Sequence, residues 1–276
     1  MAGALYIVGT PIGNLSDFSP RALETLKACD FIAAEDTRVT LKLLNHFDFK
    51  KELVPYHEHN RREAGGRILE RLCAGESCAL VTDAGMPAIS DPGEELVNAA
   101  HENGVPVASV PGPSAVVTAL ALSGLHTARF TFEGFLSVAK KSRREHLASL
   151  VNEPRTMVFY EAPHKLPATL RDMYEAFGDR RIALVKEITK IHETVERTTL
   201  AAAAEKYSEV KPKGEYVLII EAKTQEELAE NENEDPVALA QSLLKQGLSV
   251  NDAAKQAARL TGAKKGDIYK KLLEKE

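Results

Sequence analysis

Four short apolar runs, Ala4–Val8, Phe31–Ala34, Cys78–Val81 and Val105–Val110, each break off in small, polar or turn-forming residues and then lead into a helix-length stretch. Runs that are apolar throughout, rather than alternating, suit strands buried on both faces, and such strands belong to parallel sheets covered by helices. Four strand-loop-helix units in about 120 residues predict a doubly wound α/β domain. Sheets of that kind gather ligands in the loops beyond the carboxyl ends of their strands.

The third run opens the stretch richest in chemistry, Thr82-Asp83-Ala84-Gly85-Met86-Pro87-Ala88-Ile89-Ser90-Asp91-Pro92-Gly93. Pro87 lacks an N–H and Gly85 invites a positive φ, so neither strand nor helix continues through it. Asp91 as N-cap, Pro92 at the first helical position and the acids Glu94 and Glu95 predict a helix start. The plainer reading is a tight βα turn with no ligand.

The other loops narrow the choice of ligand. Gly9 and Gly13 follow the first run, but no Gly-Lys-Ser/Thr comes after them, which excludes a P-loop. Their spacing does not make G-x-G-x-x-G either, although Glu35 and Asp36 lie where a dinucleotide fold would place its ribose-binding acid. The second run empties into Glu35-Asp36-Thr37-Arg38, a polar cluster in which Asp36 or Thr37 can also cap a helix from Val39 to Phe47. The fourth ends in Pro111-Gly112-Pro113-Ser114-Ala115, with Ser114 expected to cap a small apolar helix, Val116–Leu122. Free N–H groups at such a start suit a carboxylate or another acceptor oxygen. His57-Glu58-His59-Asn60-Arg61-Arg62 is a poor metal set, because two histidines at i,i+2 have no third ligand. The loop reads as a rim for phosphate or base, or as a solvated loop.

Composition limits the partners. With 276 residues, 44% of them hydrophobic, the chain has material for two domains, and its net charge of −5 makes any polyanion contact local. Three cysteines without metal-like spacing, no leader-like basic start and no run of about eighteen apolar residues predict a cytoplasmic protein with no membrane segment.

Phe130–Phe135 begins a second region, followed by a helix from Ser137 to His146 carrying Lys140, Lys141, Arg143 and Arg144. That cluster is either a solvated helix start or a phosphate contact. Strands at Thr156–Tyr160 and Arg181–Val185, a helix at Leu166–Phe177, and Val195–Thr199 with Gly214–Ile220 as an antiparallel pair predict a second α/β domain with a mixed sheet. The acidic stretch Lys223–Pro236 reads as a linker. Helices at Val237–Gln246, from Ser249 to Leu260 and at Lys264–Lys275 follow, separated by Gly247 and Gly262, and resemble a helix-turn-helix module. From Lys245 on, eight Lys and Arg face four acids, which favours a nucleic-acid role for this tail over a packing or dimer module. The expected boundaries are 1–123, 124–222, the linker 223–236 and the helical domain 237–276.

In order along the chain, Tyr6–Leu15, Ala34–Arg38, Tyr56–Asn60, Asp83–Gly93, Pro111–Ala115, Phe132–Phe135, Phe159–His164 and Glu187–Lys190 resemble the blocks of the tetrapyrrole methylase superfamily, closest to a branch that methylates ribosomal RNA. Met86, Ala162 and Lys186 depart from the pattern. The resemblance implies a two-domain class III methyltransferase fold with a small all-α tail, a homodimer, and S-adenosylmethionine in the cleft between the α/β domains. It implies 2′-O-methylation of a cytidine in the decoding region of small-subunit ribosomal RNA, on free RNA or an assembled subunit. By position it assigns Pro11, Asp83, Gly85, Met86, Ser114, Ala115 and Tyr160 to the donor.

Methyl transfer from a sulfonium is governed by alignment, yet a ribose hydroxyl must also surrender its proton. Glu35, Asp36, His57, Glu187 and Lys190 are the candidates, with the Glu35/Asp36 and Glu187/Lys190 clusters expected to face each other across the cleft. Arg38 and Lys190 are expected to hold phosphate, and His57, Arg61, Arg62, Lys140, Lys141, Arg143, Arg144, Lys264 and Lys265 to contact RNA. A tetrapyrrole or other small-molecule methylase and a non-enzymatic RNA binder are the competing readings.

Overall fold

The first 124 residues form five β-α units: β1 (Leu5–Val8), α1 (Pro20–Ala28), β2 (Phe31–Ala34), α2 (Thr37–His46), β3 (Glu52–Pro55), α3 (Arg61–Cys73), β4 (Cys78–Val81), α4 (Glu94–Glu102), β5 (Val107–Val110) and α5 (Ala115–Ser123). The structure is a computed structural model and describes residues 3–223, 235–245 and 248–273. The strands lie in the order β3-β2-β4-β1-β5, and every neighbouring pair is parallel.

Alternation along each strand divides the core into two layers. Phe31, Ala33, Cys78 and Leu80 pack with Ile68 and Leu72 of α3 and Leu96 of α4. Ile32, Ala34, Ala79 and Val81 pack with Ala22 and Leu26 of α1 and Leu43 and Leu44 of α2. Because both faces are covered, β2 and β4 are buried at all four positions, which is the reason their sequences show no polar alternation.

Capping explains where the helices begin. Ser19 accepts from Ala22 N ahead of Pro20, and Asp36 accepts from Arg38 N. Helix α4 departs from expectation: its N-cap is Gly93 and it starts at Glu94, with no side-chain cap. Asp91 does not cap it because its carboxyl turns inward to the Thr82 hydroxyl. Ser114 occupies the N-cap position of α5 in extended backbone, but its side chain makes no capping bond.

The remainder supplies β6 (Phe130–Phe135), α6 (Lys140–Ser149), β7 (Thr156–Glu161), α7 (Leu166–Phe177), β8 (Arg181–Lys186), β9 (Thr194–Thr199), α8 (Leu200–Glu209) and β10 (Tyr216–Ile220). Their sheet runs β6-β7-β10-β8-β9. The expected pairing of the strand at Val195–Thr199 with that at Gly214–Ile220 does not occur, since β8 lies between them. Strand β10 is buried at all five positions, so it belongs in the middle of the sheet rather than in an edge hairpin.

The chain divides into two compact units, one of residues 1–124, 184–196 and 214–217, the other of 125–183, 197–213 and 218–276. The stretch Glu187–Lys190 therefore belongs with the first unit.

The tail forms α9 (Pro236–Lys245), α10 (Val250–Thr261) and α11 (Lys265–Leu273) around Val237, Ala240, Leu243, Ala253, Ala254, Ala257, Ile268 and Leu272. Ser249 caps α10 by accepting from Asp252 N, and Gly262 ends it in the left-handed region. The expected linker lies outside the described residues between 224 and 234, as do Gly247 and the chain beyond Leu273. Among the described residues no helix is long and apolar enough to cross a membrane.

Candidate active site

Strand order decides which loops meet. β1 lies between β4 and β5, so the loop after it touches both neighbours. Thr10 and Gly85 exchange backbone hydrogen bonds of 2.9 and 3.2 Å, and the buried Thr10 hydroxyl donates to Thr82 O at 3.0 Å. On the other side, a Cβ on Gly9 would lie 2.7 Å from Gly112 Cα and 2.7 Å from Met86 Sδ. Two loops approach there backbone to backbone, leaving room for hydrogen alone.

β2 and β4 are also neighbours, which joins Glu35 and Asp36 to Thr82 and Asp83. Glu35 Oε2 accepts from the Thr82 hydroxyl at 2.5 Å and from Asp83 N at 3.3 Å, while Asp83 Oδ1 accepts from Asp36 N at 3.1 Å. Asp91 completes a group of four carboxyls. Burial, then the charge of Glu35, pushes its pKa up to about 6, and the same two causes raise that of Asp83. Asp36 is the opposite case: hydrogen bonds from the exposed Arg38 side chain and its backbone N–H lower it to about 2.

Glu187–Lys190 packs on the first loop. A Cβ on Gly13 would lie 2.6 Å from Lys190 Cγ and 2.9 Å from Thr189 Oγ1. Glu187 and Thr189 both adopt positive φ, 52° and 65°. Such strain in non-glycine residues is held here by hydrogen bonds: Glu187 Oε1 accepts from Glu215 N at 2.9 Å and from Lys190 Nζ at 3.1 Å, and Lys190 Nζ also donates to Glu215 Oε2 at 2.7 Å. The Glu215 amide, with Lys190, lowers the Glu187 pKa. Burial opposes the charge of Lys190, but its bonds to Glu215 and Glu187 outweigh it and raise the ammonium pKa.

These shifts sort the candidate bases. Asp36 and Glu187 are made weaker bases than an ordinary carboxylate, and Lys190 is held protonated. Asp91, expected from the sequence to be a helix cap, joins the candidates because its carboxyl is pushed up to about 6. The missed signal was its proximity to Glu35 and Asp83, which depends on strand order. His57 has a buried Nδ1 without a hydrogen-bond partner, and its backbone N–H donates to Asn60 Oδ1 at 2.8 Å.

Pro11, Asp83, Gly85, Met86 and Ser114 lie on the loops after β1, β4 and β5 of the first unit and Ala115 opens α5 there, whereas Tyr160 lies in β7 of the second. Among the basic residues, Arg38, Arg62, Lys140, Lys141, Lys264 and Lys265 are exposed. Arg61 pairs with Glu58 and Glu95, and Arg144 with Asp172 and Glu175. Arg143 is not a surface cation: its side chain is 11% exposed and it is locked onto the buried Asp172 at 2.6 Å.

Residues 4–204 match the family model for Tetrapyrrole (Corrin/Porphyrin) Methylases, and 230–276 match the RsmI C-terminal HTH domain. The chain is 46% identical to ribosomal RNA small subunit methyltransferase I of Synechocystis over 99% of both chains. It is 47% identical to the protein of that name from Halalkalibacterium halodurans, over 97% of this chain and 93% of the relative. In fold it is similar to diphthine synthase (TM-score 0.60, 17% identity, covering 80% of this chain and 91% of that one). It is likewise similar to the uroporphyrin-III C-methyltransferase of Thermus thermophilus complexed with S-adenosyl homocysteine (TM-score 0.56, 22% identity, 79% and 97%). The chain belongs to the tetrapyrrole methylase family, in the branch of the ribosomal RNA small subunit methyltransferases I.

Proposed function

We propose that the chain is an S-adenosylmethionine-dependent methyltransferase of small-subunit ribosomal RNA that methylates the 2′-hydroxyl of a cytidine in the decoding region. The observation that carries this reading is similarity to relatives named for that substrate along the full length, the helical tail included. The enzyme works in the cytoplasm as a homodimer, on free RNA or the assembled subunit.

The loops after β1, β4 and β5 fit the donor. The cradle at Gly9 and Gly112 excludes side chains, and the start of α5 carries no side-chain cap, so its N–H groups can receive the donor's carboxylate. Pro11, Asp83, Gly85, Met86, Ser114, Ala115 and Tyr160 would hold it, and it supplies an electrophilic methyl on a sulfonium. The chain's own task is to align the ribose hydroxyl and take its proton. Both bonds to Glu35 fall on Oε2, which leaves Oε1 to accept that proton. Asp91, which also bonds to Thr82 and has a pKa of about 6, can share it. Lys190, held cationic, and Arg38 orient phosphate.

Incubation with labelled S-adenosylmethionine and either small ribosomal subunits or uroporphyrinogen tests the reading. Label in RNA, at the 2′-oxygen of a cytidine, is expected. Label in the pigment would make the chain a small-molecule methylase, and label in neither would leave a binding protein.

A further inference from the structure

Strand β6 contains an irregularity that its sequence does not need for pairing. Phe130, Thr131 and Phe132 pair with Thr156, Met157 and Val158, but the register then slips, so that Gly134 and Phe135 pair with Phe159 and Tyr160. Glu133 is the extra residue, and Gly134 takes up the bend with φ 63°. In a regular strand Phe132 and Phe135, three positions apart, would point to opposite faces. The bulge puts both rings against Tyr160, at 4.9 and 5.3 Å between centroids.

The outcome is an aromatic cluster on an edge strand, at the carboxyl ends of β6 and β7, with Phe135 55% exposed. Burial does not account for a bulge that carries a phenylalanine out into solvent. One cation lies beside it. Lys165 Nζ lies 5.8 Å from the Phe135 ring centroid, and Lys140 and Lys141 open the helix that follows.

The segment between Phe135 and those lysines is fixed from beneath. Arg143 donates to Ser137 O at 3.3 Å and Val138 O at 3.1 Å, while its Nε donates to the buried Asp172 at 2.7 Å.

Resting on the proposed RNA substrate, we propose that Phe135 is the platform on which an unstacked base of that RNA lies, with Lys165, Lys140 and Lys141 on its phosphates and Arg143 as a positioning residue. Single-stranded RNA is recognised by splayed bases stacked on aromatic rings beside basic groups. The uncharged cluster alone would suit any flat apolar group; the three lysines select a polyanion.

The chain contains no tryptophan, so Phe135→Trp introduces a single reporter. Its emission should be quenched by oligocytidylate and by small ribosomal subunits, whereas that of a control, Tyr174→Trp on the exposed part of α7, should not. In methyl transfer, Phe135→Leu should raise KM for the subunit about tenfold with KM for S-adenosylmethionine unchanged, and Phe135→Trp should restore it. Arg143→Lys should raise the same KM and leave the donor's unaltered.

Equal quenching of both reporters, no quenching at position 135, or an unchanged subunit KM in Phe135→Leu overturns the platform. So does quenching that follows protein concentration without RNA, since a second copy of the chain would then cover the ring. The titration reads binding alone. Failure of wild-type protein to label RNA would strike the proposed activity, and failure of the titration the platform.

Discussion

The backbone N–H of Asp36 donates to Asp83 Oδ1 at 3.1 Å, tying the loop after β2 to the loop after β4. That bond asks Asp83 for an acceptor oxygen but not for a charge. The charge is opposed by burial and by Glu35, which raise the Asp83 pKa.

Asp83→Asn keeps the acceptor and removes the repulsion, so its melting temperature should match or exceed that of wild type. Asp83→Ala abandons the Asp36 N–H and should cost about 1 kcal/mol. If Asp83 also binds the donor, calorimetry should show weaker S-adenosylmethionine binding in both variants. A stability loss shared equally by Asn and Ala would contradict the proposed relief of repulsion.

Asp91 gives stability a pH dependence of defined sign. In the folded chain its carboxyl keeps a proton to about pH 6, against an ordinary value of 3.8. Its contribution is fully present below the ordinary value and is lost as pH rises through 6. Asp91→Asn does not ionise and can still donate to the Thr82 hydroxyl. It should therefore be more stable than wild type above pH 6, by roughly 1–2 kcal/mol once solvent screening of a half-buried group is allowed for. The difference should vanish near pH 4. Urea titrations at the two pH values check this, and a constant difference would mean that Asp91 is not the titrating group.

The first domain was legible because parallel strands buried on both faces cannot hide: Phe31–Ala34 and Cys78–Val81 have no polar residue to alternate. The loops were legible as loops for the same reason. Asp91 was misassigned because Asp-Pro-Gly-Glu-Glu reads locally as a cap, whereas the fold of the loop after β4 turns its carboxyl back to the Thr82 hydroxyl, and the adjacency of β2 brings up Glu35. The place of Val195–Thr199 was misread because nearness in sequence suggested a pair with Gly214–Ile220, whereas β8 takes the inner position. Arg143 looked like its neighbours Lys140 and Lys141, and nothing local revealed that Asp172, on α7, would bury it.

The approach of Gly9 to Gly112 predicts a steep response to one methyl group. In Gly9→Ala the new Cβ would meet Gly112 Cα at 2.7 Å, and backbone cannot step aside as a side chain can. The loops after β1 and β5 must separate, at a cost of about 1–3 kcal/mol. Gly112→Ala, with its Cβ 2.8 Å from Gly9 Cα, should behave alike. Both variants should lose affinity for S-adenosylmethionine by calorimetry, whereas Gly66→Ala on α3, where a Cβ meets nothing within 4 Å, should keep it. Unaltered binding in Gly9→Ala would remove this cradle from the donor site.

Lys190 and Glu35 separate binding from chemistry. Lys190 is 32% exposed and its partner Glu215 is 80% exposed, so this ion pair contributes little, and Lys190→Ala should cost less than about 1 kcal/mol. With the ammonium gone, the strained Glu187–Thr189 turn loses a tether and the site its cation for phosphate. Methyl transfer to the small subunit should fall by at least about tenfold while donor affinity is retained. Glu35→Gln can still accept from Thr82 and Asp83 but cannot take a proton, so it should lower kcat with KM for the subunit nearly unchanged. Lys190→Ala, acting on substrate contact, should instead raise KM. Unchanged turnover in both variants would take these residues out of the reaction, and a KM rise in Glu35→Gln with kcat intact would make Glu35 a binding group rather than the base.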